Sequence, residues 1–75
     1  MNPGQKMFYD FFMERVKDDK KEEARKLLEE SFARQAEGTF DKAYLERKMP
    51  EFFAVIKPEA EDELKQAMEH FASTL

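Results

Sequence analysis

The chain has 75 residues, with 17 acidic and 13 basic side chains and a formal net charge of −4; it has one histidine and no cysteine. That length makes one domain, residues 1–75, and a domain of this size buries only roughly 60% of its unfolded surface. Disulfides and a Cys/His zinc site are excluded, so stability has to come from packing the 8 Phe, 2 Tyr and 5 Met.

Asn2-Pro3-Gly4-Gln5 reads as a helix start. Asn2 suits the N-cap, Pro3 the first helical position, and Gln5 completes a capping box. The first helix is predicted over 3–17. On a wheel of about 100° per residue, Phe8, Phe11, Phe12 and Val16 fall on one face and Asp10 lies opposite. Met7 flanks this stripe on one side, Tyr9 and Met13 on the other. The apolar sector is therefore wider than a surface helix needs. Met7, Tyr9 and Met13 are the candidate interaction surface.

Asp18 to Lys21 form the first connection, and Asp19 with Glu22 makes a second capping-box pattern. The second helix is predicted over 20–36, with a stripe of Ala24, Leu27, Leu28, Ser31 and Phe32 and with Gln35 at its far end. Glu22–Lys26 and Glu30–Arg34 have the acid-to-base spacing that supports a helix surface. Gly38 stands where a left-handed residue closes a helix.

Asp41 is the N-cap of a third helix, with Phe40 and Leu45 spaced as a hydrophobic staple. Its stripe of Leu45, Met49, Phe52, Phe53 and Ile56 keeps phase across Pro50. This predicts one helix over 41–56, kinked at Pro50 rather than broken. Pro58 starts the fourth helix, predicted over 58–73, and Glu59, Glu61 and Asp62 favour its N-terminal dipole. Ala60, Leu64, Ala67, Met68, Phe71 and Leu75 make its stripe; Ser73 to Leu75 are expected to fray. No internal repeat and no strand pattern is read. The expected fold is all-α, a small single-domain bundle of four helices whose short connections favour antiparallel neighbours.

The search for chemistry returns little. Glu37-Gly38-Thr39-Phe40-Asp41 resembles the second half of an EF-hand loop. With Gly38 at the sixth loop position, Ala33 stands at the first and Tyr44 where a bidentate Glu is needed. A Gly C-cap followed by an Asp N-cap accounts for the same residues. His70 lacks the Glu-x-x-His or His-x-x-x-His spacing of a helical metal site. Ser31 lies in an apolar stripe and reads as a small residue between helices, not a nucleophile. Two glycines cannot make a phosphate loop. No catalytic, cofactor-binding or metal-binding residues are assigned, no cofactor is expected, and the chain is expected not to be an enzyme.

Arg15, Lys17, Lys20, Lys21, Arg25 and Lys26 gather six bases in twelve residues, but four acids lie among them and the fourth helix is acidic. That balance is wrong for nucleic-acid binding. The longest apolar run, Phe52 to Ile56, is far short of a membrane span. No signal peptide is read, and a cytoplasmic setting is expected. The chain has the general character of the short, acidic helical proteins common in bacteria. Two functions follow from these expectations. One is a protein–protein interaction or regulatory module using an apolar helix face, its partner a second copy (a homodimer) or a different protein. The alternative is a small-molecule or lipid carrier with a pocket between the first and third helices, around Phe11, Phe12, Tyr44, Phe52 and Phe53.

Overall fold

The structure, a computed structural model, describes residues 2–73 apart from the side chains of Phe71 and Ala72. Four helices make up the all-α fold: α1 (Pro3–Glu14), α2 (Lys21–Glu37), α3 (Lys42–Val55) and α4 (Glu61–Ser73). Two single-turn 3-10 segments, Asp18–Lys20 and Pro58–Ala60, lead into α2 and α4. The expected fraying at Thr74 and Leu75 lies outside the described residues.

Local sequence signals set most of the helix ends. The Asn2 side chain accepts from the Gln5 N–H at 2.7 Å, and the Gln5 side chain accepts from the Asn2 N–H at 3.1 Å, closing the expected capping box. Asp41 caps α3 by accepting from the Tyr44 N–H at 2.8 Å. Gly38 closes α2 at φ 75°, donating to the carbonyls of Arg34 and Gln35. These two caps account for the stretch that resembled an EF-hand. Among the described residues no group of three or more His, Asp or Glu side chains is placed to hold a metal. Pro50 lies inside α3, which runs through it unbroken.

The α4 helix begins at Glu61 and not at 58, because Pro58–Ala60 form a 3-10 turn. The ends of α1 and α3 also differ from expectation, for one shared reason. α1 stops at Glu14, not at 17, because Val16 leaves the helix to pair in an antiparallel bridge with Ile56. Ile56 correspondingly lies beyond the end of α3. The Lys17 N–H donates to the Val55 carbonyl and the Lys57 N–H to the Arg15 carbonyl, both at 2.9 Å. These reciprocal bonds need extended backbone, which helical Val16 or Ile56 could not supply. The Asp19–Glu22 capping box does not form either: no side chain caps α2. Asp19 lies inside the 3-10 turn Asp18–Lys20, so Lys20 and not Asp19 stands at the N-cap of α2.

The basic cluster beside this bridge has a structural explanation. Arg15 donates to the Phe11 carbonyl at 2.9 Å and Lys21 to the Met13 carbonyl at 2.6 Å, both at the end of α1. Lys17 reaches the Ala54 carbonyl near the end of α3 at 3.3 Å. Cations are favourable at helix C-termini, where carbonyls lack intrahelical partners. Three of the six bases are thus used to close helices.

The bridge also exposes a repeat not recognised in the sequence. Helix, bridge residue, lysine, 3-10 turn and helix occur twice, at a spacing of 40 residues. Phe12 corresponds to Phe52, Val16 to Ile56, Lys17 to Lys57, Glu23 to Glu63, Ala24 to Leu64 and Leu28 to Met68. The halves are joined at the bridge by reciprocal backbone bonds. Phe12 and Phe52 touch edge to face there, with ring centroids 5.4 Å apart. The eight apolar positions among these twelve are core: Phe12, Val16, Ala24, Leu28, Phe52, Ile56, Leu64 and Met68 are buried together with Leu45, Val55 and Ala60.

Candidate functional site

The two halves meet along two contrasting seams. Between α2 and α3 the seam is closed. Tyr44 is buried, and its hydroxyl donates to Glu30 at 3.1 Å. Lys48 lies 3.5 Å from Glu30 and 3.3 Å from Glu51. The Arg34 guanidinium sits over the Tyr44 ring at 4.3 Å, and the Phe40 ring packs on it at 5.4 Å. Burial is the main cause that raises the Tyr44 phenol above its ordinary range; the neighbouring Glu30 carboxylate adds to it. Lys48 is held protonated beyond its usual range, first by its bond to Glu51. This seam displaces an expected pair. Glu30 and Arg34 do not pair along the helix, because both are drawn across to Tyr44. Glu22 pairs with Arg25 instead of Lys26.

The side where α1 borders α4 is built differently. Arg15 reaches Glu63 of α4 with two nitrogens, at 3.1 and 3.0 Å. Its guanidinium lies 4.0 Å above the ring of half-buried Phe11. Phe8 stands next along α1, its ring 6.3 Å from Phe11. One turn before Phe11, Met7 projects into solvent and is 74% exposed. Met7, Phe11 and Arg15 follow one another at four-residue spacing, so they form a ladder along one edge of α1. Among the described residues, Met7 stands out as the exposed large hydrophobic side chain.

The three sequence-predicted surface residues are divided by this arrangement. Met7 lies on the exposed edge. Tyr9 and Met13 are half-buried and pack against the core cluster from the other flank of the stripe. Phe11, read from the sequence as part of the core stripe with Phe12, is only half-buried, whereas Phe12 is fully buried. The wheel carries a signal for this: Phe11 sits off the stripe's centre on the Met7 side, with Arg15 one turn on.

The space expected for a carrier's ligand is occupied by the protein itself. Phe8 stacks on Phe12 at 6.0 Å and Phe12 meets Phe52 at 5.4 Å, while Tyr44 turns to Glu30. The cavity where the four helices meet, lined by Phe8, Leu28, Phe40, Phe52 and Met68 among others, holds about 20 Å³. That is room for roughly one water, against several hundred Å³ for a bound organic ligand. Ser31 is buried beside this cavity, and its hydroxyl lacks a well-formed hydrogen bond although it lies close enough to the Tyr44 phenol to favour ionisation. His70 is exposed in the last turn of α4. No helix among the described residues is long and apolar enough to cross a membrane. Compared with protein-family models, with curated proteins and with solved structures, the chain matches none.

Proposed function

We propose that this chain is a non-enzymatic protein–protein interaction module that binds through the edge of α1, with Met7 as its anchor and Phe11 and Arg15 beside it. The observation that supports this reading is the exposure of Met7 next to a half-buried aromatic ring under a guanidinium. Methionine, aromatics and arginine are the residue types favoured in the buried centres of interfaces, and methionine adapts its shape to a partner. Tyr9 and Met13 support the same helix from its core side. The partner is a second copy of the chain or a different protein. A cytoplasmic setting belongs to the same proposal, since a chain without cysteine needs no oxidising compartment.

Sedimentation velocity over a wide concentration range tests the reading, with chemical cross-linking to capture a different partner. Association that weakens at least tenfold in Met7→Glu, with helicity and urea midpoint unchanged, is the expected outcome. Association that is indifferent to both Met7→Glu and Phe11→Ser would remove this edge from consideration.

A further inference from the structure

The two halves are joined by one short connection, residues 38–41, and by a shared core. Neither half can make a core alone. Each has fewer than roughly 40 residues, a length at which a chain without disulfide or metal does not ordinarily fold by itself. The contacts that matter straddle the halves: Phe12 on Phe52, Val16 against Ile56, and the reciprocal Lys17 and Lys57 bonds. None of them depends on the halves belonging to one chain. The same contacts close equally well between two copies.

The connection controls which closure is used. Gly38 holds the left-handed conformation at φ 75°, and the Thr39 N–H bonds back to the Arg34 carbonyl at 2.9 Å. This reversal sends α3 back along α2. A β-carbon at residue 38 would meet no atom within 4 Å, so a side chain there acts through backbone preference alone. A residue that favours the right-handed region would let α2 run on toward α3. The second half would then be carried away from its own first half and toward a neighbour's.

We propose that two copies of this chain exchange halves, α1–α2 of one packing on α3–α4 of the other, with residues 38–41 as the hinge. The product is a closed, symmetric dimer in which each lobe repeats the monomer's fold. The exchange uses the buried interface between the halves and does not involve the exposed Met7 side chain.

The test compares the native chain with Gly38→Ala, each refolded from denaturant at on the order of 1 mM and 1 μM and then analysed by sedimentation. Concentrated refolding should give a dimer of unchanged helicity that persists for hours after dilution, because separation requires unfolding. Gly38→Ala should raise the dimer fraction several-fold, and three glycines inserted after Thr39 should lower it. Met7→Glu should leave it unaltered, which separates it from surface association. The inference is overturned if the native chain and Gly38→Ala both remain monomeric after concentrated refolding. It is equally overturned if the dimer dissociates within minutes of dilution, or if Met7→Glu abolishes it.

Discussion

The α2–α3 seam and the α1–α4 border both join the two halves, yet they are closed by different means. One buries a tyrosine whose hydroxyl meets a carboxylate and whose ring lies under a guanidinium. The other sets an arginine across a half-buried phenylalanine and ties it to a half-exposed Glu63. α2 and α3 also run closer together than α1 and α4. A buried aromatic contributes through the area it removes from water. An exposed ion pair contributes little, because water screens it. The closed seam therefore carries more of the stability than the α1 edge, where the exposed Met7 stands.

Truncating each side gives the sharpest comparison. Tyr44→Ala is expected to cost about 3–5 kcal/mol, as for other buried aromatics. Phe11→Ala should cost about 1–2 kcal/mol, because its ring is only half withdrawn from water. Urea denaturation of both variants measures the difference; equal losses would mean that the α1 edge is as integral to the core as the seam. High pH probes the buried tyrosine of the closed side, with Tyr44→Phe as its control. The folded state raises the Tyr44 pKa, so its contribution is complete below the ordinary phenol value of 10.0 and is lost as pH rises through the higher folded value. Stability should fall as pH rises from 10.0 through that folded value and level off beyond it, and Tyr44→Phe should flatten the fall while costing about 1 kcal/mol near neutrality. Ser31→Ala removes a buried hydroxyl without a well-formed partner, and a gain of about 1 kcal/mol is expected in thermal or urea unfolding. The smallest effect belongs to the open side. A double-mutant cycle on Arg15→Ala and Glu63→Ala should return a coupling below about 1 kcal/mol, and less at high salt.

Which features were legible in the sequence follows from how far their causes reach along the chain. Asn2 with Gln5, Gly38, and Asp41 with Tyr44 are decided within three or four residues, and all were readable. The core stripe of Ala24, Leu28 and Ser31 was readable because helical periodicity is local too. The end of α1 was not, because Val16 leaves the helix for a partner forty residues away. Asp19 and Glu22 carry a capping pattern that loses to the 3-10 turn set by the same bridge. Phe11 and Phe12 share the stripe, but Phe11 lies off its centre toward Met7, and Phe12 is the ring that meets Phe52. Glu30 and Arg34 had the right spacing to pair, but Tyr44 from another helix draws both away. The repeat escaped notice because the halves share positions more than identities: alanine matches leucine at 24 and 64, and leucine matches methionine at 28 and 68.

The reciprocal bridge bonds make a gauge of how the halves separate. The Lys17 and Lys57 amides lie outside the helices, in segments where backbone protons ordinarily exchange with solvent quickly. Each is held instead by the opposite half. Neither bond can break by the fraying of one helix, and parting the halves releases both. Their deuterium uptake should therefore be slow and matched in rate, and it should follow the opening of the whole domain. Two loop amides, read together, would then time an event that the helical amides report only in aggregate.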